Sequence, residues 1–189
     1  MKRLTLEYQG KTYPATETQK ELKRVARLWR RNAQSYLRRH NKNTTGALKS
    51  SMKTRFGQSG NSVWADITPT VDYWEFVDLG VRGAKSSPFK RQRESPYKYK
   101  KKKPPLNVIE KWLKDKGAKP RNTATGQYVT RRSFAFLVQN AIWSRGLKPT
   151  FFITDTGKRL EKKYALSIAG AYANDLADAM EDYWRSKGM

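Results

Sequence analysis

The side chains that could perform catalysis are few and poorly grouped. The chain has no cysteine and a single histidine, His40, so no set of residues could form an acyl-transfer triad or an imidazole-ligated zinc site. Glu21-Leu22-Lys23 and Glu161-Lys162-Lys163, the latter with Asp155 upstream, have the acid-x-lysine order of metal-dependent nucleases. That order holds Mg²⁺ when carboxylates project from adjacent strands, whereas both stretches fall in predicted helices. We therefore predict no enzyme, no catalytic residue, no metal and no cofactor.

The stretch Tyr97–Pro105, YKYKKKKPP, is the strongest candidate for binding, with five lysines in nine residues. Lysines are point charges suited to phosphate contacts, and the two tyrosines could stack on bases or pack against a partner. A loop that is merely solvated is the simpler alternative, and a nuclear-localisation signal is a weaker one. The residues assigned to nucleic-acid or partner contact are Arg91, Arg93, Tyr97, Lys98, Tyr99, Lys100, Lys101, Lys102 and Lys103.

The charge balance of the whole chain points to an acidic partner. Forty Lys and Arg against 16 Asp and Glu leave a net charge of +24, so the surface carries a strong positive potential. No apolar run of about 18 residues and no charged-then-apolar leader is present, and we expect a soluble chain without a membrane partner. With 189 residues, 37% of them apolar, one domain over residues 1–189 is the expected organisation.

The first 70 residues predict a hairpin, a helix and a second strand pair. Leu4–Tyr8 and Lys11–Tyr13 alternate apolar and polar residues around Gln9-Gly10, a turn dipeptide. Thr18 stands three residues before Glu21, the spacing of a capping box, and apolar residues then recur at helical intervals to about His40. Ser59-Gly60-Asn61 separates two further strand-like runs. We predict an antiparallel sheet of three or four strands.

The rest of the chain is predicted to be mostly helical. Tyr73–Leu79 is a short aromatic and acidic helix ended by Gly80, and a further helix follows Pro104-Pro105 and ends at Gly117. Residues 82–104 form a long lysine-rich loop without apolar periodicity. A helix entered at Ser133 is expected to pack through Phe134, Leu137, Val138, Ala141 and Ile142. A long C-terminal helix covers residues 155–187, and its large residues drift around its surface, so its two ends pack against different neighbours, one of which could be another subunit.

The fold class that follows is α+β, a small antiparallel sheet packed against several helices, with a long C-terminal helix and a long basic loop. In order and character, residues 16–155 resemble the tail-completion, or neck, proteins of tailed bacteriophages. In that family a Gly-x-Leu-x-x-Ser segment precedes the strands, and an aromatic-acidic helix with a glycine turn follows them. The matching stretches are Gly46–Ser51 and Tyr73–Gly80, with a phenylalanine run at Pro149–Ile153 or Ser133–Phe136.

The resemblance implies a structural virion protein that forms a ring in the head–tail connector, around the channel through which the genome passes. It implies as partners other copies of the chain, portal or adaptor and tail proteins, and phosphates of the genomic DNA, and as location the virion neck, with the host cytoplasm during assembly. The residues assigned to subunit packing are Tyr73, Trp74, Phe76, Phe151, Phe152, Tyr172 and Trp184.

Two rival functions remain from the sequence. Net charge alone favours a nucleic-acid-binding protein of ribosomal or architectural type, which would bind DNA or RNA as a monomer without reading sequence. A Mg²⁺-dependent nuclease is the third reading, and it would lose activity when Asp155 or Glu161 is changed to alanine. The order of motifs favours the connector protein over both.

Overall fold

The computed structural model describes residues 4–40, 42, 45–59, 62–122 and 124–188. It divides into two compact units of nearly equal size. Unit 1 comprises residues 1–36, 51–70 and 152–189, and unit 2 comprises residues 37–50 and 71–151. The mixture of helices and short antiparallel strands confirms the predicted α+β class, including the long C-terminal helix.

Unit 1 is built from two hairpins and two long helices. Its strands are β1 (Thr5–Tyr8) with β2 (Lys11–Pro14) and β3 (Met52–Ser59) with β4 (Ser62–Pro69), and its helices are α1 (Thr16–Arg39), whose last turn lies in unit 2, and α6 (Thr154–Arg185). The first turn is confirmed, because Gln9 and Gly10 both have positive φ, as a tight hairpin turn of this handedness requires. The predicted turn at Ser59-Gly60-Asn61 falls partly on Gly60 and Asn61, outside the described residues.

The core of unit 1 joins its first hairpin to both helices. The buried residues of this cluster are Leu4, Leu6, Ala15, Leu22 and Ala179, with Ile168, Tyr172 and Leu176 of α6 packed against them. At the other end of α6, the Trp29 indole of α1 covers Gly157, and its Nε1 donates a 3.0 Å hydrogen bond to the carbonyl of Ile153. A side chain at position 157 would collide with the indole, so glycine permits this close approach of the two helices.

The start of α1 corrects the predicted capping box. The helix begins at Thr16, two residues before Thr18, and the carboxylate of Asp175 in α6 takes the capping role. Asp175 accepts from the backbone N–H of Glu17 at 2.9 Å and of Thr18 at 2.8 Å, and from the Thr18 hydroxyl at 2.7 Å. Asp175 is only 4% exposed, and a buried carboxylate at a helix N-terminus satisfies both the unpaired donors and the helix dipole. A partner 157 residues away cannot be read from local spacing.

Unit 2 contains α2 (Ala47–Ser50), α3 (Trp74–Asp78), α4 (Leu106–Asp115) and α5 (Arg131–Arg145). Strands β5 (Val81–Arg82) and β6 (Gly146–Leu147) form a two-residue antiparallel pair. Among the described residues the strands form three separate two-stranded pairs, so the prediction of one sheet with three or four strands is wrong.

The helix pair α4–α5 has its own small core. Ile109 and Leu113 of α4 pack against Ala135 of α5, with Phe134, Val138 and Ile142 around them. The predicted packing role of Leu137 is wrong, since its side chain is 62% exposed. The helix starts at Arg131 rather than Ser133, because the Thr130 side chain caps it by accepting from the Ser133 N–H at 3.2 Å.

A basic ledge held on one helix

The stretch Tyr97–Pro105, here called the lysine strap, lies along one face of α5. Trp143 Nε1 donates to the Lys100 carbonyl at 2.8 Å, and Gln139 Nε2 donates to the Pro104 carbonyl at 2.7 Å. Lys103 Nζ donates to Asn140 Oδ1 at 2.7 Å. Gln139 and Asn140 precede Trp143 by four and three positions, which places Trp143 on the same side of α5 as each of them. The strap is therefore attached to a helix at three points, which the sequence did not indicate.

The beginning of the strap is held by backbone pairing and by its first tyrosine. Arg82 N–H donates to the Tyr97 carbonyl at 2.8 Å, and Tyr99 N–H donates to the Arg82 carbonyl at 2.9 Å. The Tyr97 ring meets Phe76 edge to face with centroids 4.6 Å apart, and its hydroxyl donates to the Glu75 carboxylate. Burial raises the pKa of Tyr99 above its usual value. Both tyrosines thus make contacts within unit 2.

A buried glutamine anchors the chain that leads to the strap. Residues 82–104 include a 3₁₀ helix, Lys90–Glu94, and Gln92 at its centre is fully buried. Its amide nitrogen lies 2.7 Å from the Val81 carbonyl, 2.9 Å from that of Arg145 and 3.2 Å from that of Leu147. Position 146 must be glycine, because its φ is +79° and a Cβ there would lie 1.9 Å from the Val81 oxygen. One neutral side chain therefore ties β5 and β6 to the basic segment.

Sequence reasoning missed Gln92, and no local signal distinguishes it. It stands in the run KRQRE, where every neighbour is charged and exposed, so the pattern is that of a solvated loop. Ser95 was missed in the same way, and its hydroxyl donates to the Gly80 carbonyl at 2.7 Å. Both side chains satisfy backbone carbonyls that would otherwise be buried without a donor.

The cations of the strap and of the segment before it differ in what they contact. Lys98, Lys100, Lys101 and Lys102 are exposed. Lys103 lies 5.6 Å from the Phe136 ring centroid and 5.4 Å from that of Trp143, which Lys85 also approaches at 5.8 Å. Arg91 lies 3.5 Å from the Phe151 centroid, and Arg93 Nε donates to the Ser87 carbonyl at 3.3 Å. Cation–π contacts position a side chain without neutralising its charge, so the ammonium groups of Lys85 and Lys103 keep their positive charge at this surface.

We call the strap and the face of α5 under it the basic ledge. It lies in the more strongly charged half of the molecule, since unit 2 has 23 Lys and Arg against 6 Asp and Glu, a net charge of +17. Unit 1 has 17 against 10, a net charge of +7. Exposed lysines on a fixed backbone suit phosphate groups along a nucleic-acid strand, which they bind without reading bases.

The residues assigned to subunit packing do not form one group. Tyr73, Phe76 and Trp184 are between 39% and 45% exposed, while Trp74 and Phe151 are half-buried. Phe152 is fully buried, and Tyr172 packs against the core of unit 1. Of the seven, Tyr73, Phe76 and Trp184 have the most surface left for a partner.

The acid-x-lysine stretches lie on helices, as their sequence context predicted. Glu21 of α1 accepts two hydrogen bonds from the Arg24 guanidinium, at 2.6 and 2.7 Å, and the Ser167 hydroxyl also donates to it. These bonds, that of Arg24 above all, lower the pKa of Glu21 to about 2. Within the described ranges, no three His, Asp or Glu side chains lie close enough together to hold a metal ion.

Two further findings concern the chain as a whole. In the part that the structure describes, no helix is both long and apolar enough to cross a membrane. Comparison with protein-family models, with curated proteins and with solved structures found no match.

Proposed function

We propose that the chain is a structural, non-enzymatic virion protein that forms a ring in the head–tail connector of a tailed bacteriophage. The ring joins portal-side and tail proteins around the DNA channel, and subunits are made in the host cytoplasm before assembly. The observation that carries the proposal is the order of the two family-like motifs around the β3–β4 hairpin, with a helix pair after them.

Support comes from the structural demands at the residues of those motifs. Gly46 has φ +80° at the start of α2, and Leu48 is buried, so the Gly-x-Leu spacing matches a turn followed by an inward side chain. Gly80 has φ +72°, and a Cβ there would lie 2.6 Å from the Leu147 carbonyl oxygen. Both glycines adopt a backbone conformation that favours glycine, so these two motif positions have a structural role in this chain.

The basic ledge has a natural role in such a ring. Charges act over about 8 Å at physiological salt, so lysines on a fixed strap are effective only where they approach DNA phosphates or acidic protein directly. Lys100, Lys101 and Lys102 form an exposed run on the strap. We infer that they contact the passing genome.

One observation favours a second candidate. The net charge of +17 on unit 2 would by itself support a free, non-sequence-specific nucleic-acid-binding protein. Such a protein coats DNA without forming a closed ring and joins no particle, and this difference separates the two functions.

The proposal is tested in phage-producing cells with the triple substitution Lys100→Ser, Lys101→Ser and Lys102→Ser. We expect the variant to fold normally but to yield unjoined heads and tails or particles that lose DNA. The matched control replaces Lys20, Lys53 and Lys187, three exposed lysines of unit 1, with serine and removes the same charge. Infectious particles at the normal yield from the strap variant would contradict the role of the ledge, and particles that lack the wild-type protein altogether would contradict the function.

A further inference from the structure

The long helix α6 has an apolar face that is exposed in the part of the chain that the structure describes. Its buried side carries Leu160, Asp175 and Ala179. At about 100° per residue, seven apolar residues fall on the opposite side. They are Leu166, Ala169, Gly170, Ala173, Ala177, Met180 and Trp184, here called the outer α6 face. Leu166 is 87% exposed, the largest value among the exposed large hydrophobic residues.

The side chains in the middle of this face are small enough for a second helix to approach closely. Ala169, Gly170 and Ala173 are exposed, and among the described residues no atom lies within 4 Å of the position that a Cβ on Gly170 would take. Glycine inside a helix lowers helix stability relative to alanine, and no described neighbour is close enough to require glycine at this position. Small side chains between large ones let the axis of a second helix come near, with Leu166 and Trp184 packing on either side of the crossing.

The charges along α6 are segregated by end. On or beside the outer α6 face, the exposed Arg159, Lys162 and Lys163 lie toward its start and the exposed Glu181 lies toward its end, whereas Asp175, Asp178 and Asp182 fall on the other side of the helix. Within the helix Glu181 pairs with Arg185 at 2.6 Å. A helix that is positive at its start and negative toward its end is complementary to a reversed copy of itself, whereas a parallel copy would place like charges together.

We propose that the outer α6 face binds the same face of a second copy of the chain in antiparallel orientation. A two-fold axis between positions 171 and 172 brings together residues whose numbers add up to about 343. It places Arg159 against Trp184, Lys163 against Glu181, Leu166 against Ala177, and Ala169 against Ala173. Each pair is favourable in kind, a cation–π contact, an ion pair and two apolar contacts.

The dimer follows from unit 1 alone and does not depend on the proposed ring. Specific interfaces bury at least about 1,000 Å² in total, and two faces of seven apolar residues, three of them large, are of that order. The contact is the self-complementary kind that a two-fold axis produces, in which both copies use one patch. It is expected of the free protein whether or not the protein joins a particle.

Orientation is tested with single cysteines, because the chain has none of its own. The variants Lys163→Cys and Glu181→Cys are oxidised alone and as an equimolar mixture. In the antiparallel pair only the mixture forms the disulfide-linked dimer efficiently, since identical positions are about 27 Å apart along the helix axis. A mixture of Lys53→Cys on β3 with Glu181→Cys is the control. Stronger linking of each variant with itself, or no linking beyond the control, would overturn the proposal.

The energetic role of the face is tested by its most exposed residue. Sedimentation at about 100 µM detects a dimer with a Kd in the micromolar range. We expect the wild type to be at least dimeric, and Leu166→Glu to raise the Kd for pairing at least about 100-fold, since it buries a charge within the contact, against Ala177 of the second copy. Leu137→Glu, at an exposed leucine of α5, is the control and should pair normally. Circular dichroism verifies the helix content. A monomeric wild type, or unchanged pairing of Leu166→Glu, would overturn the proposal.

Discussion

The two units have nearly the same number of residues, but different interactions stabilise the inside of each one. Unit 1, with a net charge of +7, is joined by an apolar cluster that links a hairpin to two long helices. Unit 2 carries +17, and its basic segment is held by neutral side chains, Gln92, Ser95, Gln139 and Trp143, that donate to backbone carbonyls. Attachment through the backbone leaves the lysine ammonium groups facing outward, so a fixed strap and a high charge density coexist.

The largest expected effect comes from removing the anchor of unit 2. Gln92→Ala leaves one buried and two partly buried carbonyls without the donor they share and opens a cavity, and we expect it to cost about 3 kcal/mol of unfolding free energy. Gln127→Ala, at an exposed glutamine of the same unit, should change it by less than about 0.5 kcal/mol. Urea unfolding measures both.

Hydrogen exchange shows which part of the molecule the Gln92→Ala substitution destabilises. The amides of Arg82 and Tyr99 should exchange faster, while those of α1 should not. Equal acceleration in both units would show that Gln92 does not act on the basic segment in particular, and the contrast between the units would be lost.

A comparable effect is expected in unit 1. Asp175→Ala removes the carboxylate that caps α1 and leaves the Thr18 hydroxyl buried without its acceptor, so we expect a loss of about 3 kcal/mol. Asp178→Ala, three residues further along α6 and exposed, is the control and should be within about 0.5 kcal/mol of the wild type. Thermal unfolding of the two variants checks the prediction. Equal stability of both variants would contradict the stabilising role of Asp175 as the cap of α1.

Replacing Lys100, Lys101 and Lys102 with serine should affect binding and not stability. We expect affinity for duplex DNA at low salt to fall about 10- to 30-fold, about 1.4 to 2 kcal/mol, with a less steep salt dependence, because fewer counterions are released. The serine triple at Lys20, Lys53 and Lys187 removes the same charge from unit 1 and should weaken binding less. Fluorescence anisotropy at several salt concentrations measures both, and an equal loss would mean that net charge matters and the ledge does not.

The smallest effect is a pH dependence in unit 1. The pKa of Glu21 is lowered to about 2 by Arg24, so its ionised form stabilises the folded state. This stabilisation is fully present above about pH 4.5, where the unfolded residue is ionised, and is lost as the pH falls through about 2. Since Arg24 is half-exposed, we expect Glu21→Gln to cost only about 1 kcal/mol at pH 7 and clearly less at pH 2. A loss that did not depend on pH would contradict the assignment to charge.

The sequence predicted those parts of the fold that depend on neighbouring residues. The Gln9-Gly10 turn and the helices α1, α4 and α6 were confirmed within a few residues, because turn chemistry and apolar periodicity act over short spans. The α1 cap was wrong because Asp175 comes from a distant part of the chain. Leu137 was misplaced because α5 packs through Ala135, and periodicity alone does not choose between adjacent faces.

The candidate site was predictable in composition but not in construction. Counting charges located the lysines, yet their attachment depends on Gln92, Gln139 and Trp143, which carry no local signal. Their roles follow from carbonyls that lie far along the chain and become neighbours only in the folded unit. The assignment of individual lysines to DNA or to protein contact stays a prediction.

The ring is the central claim, and the most direct test is the mass of the purified protein at low and high salt, with and without duplex DNA, followed by imaging of the largest species. We predict closed rings, larger than the dimer expected from α6, that appear at low salt or with virion partners and enclose a channel wide enough for duplex DNA. A species that never exceeds the dimer, coats DNA and enters no particle would contradict the connector function and support the free nucleic-acid-binding protein.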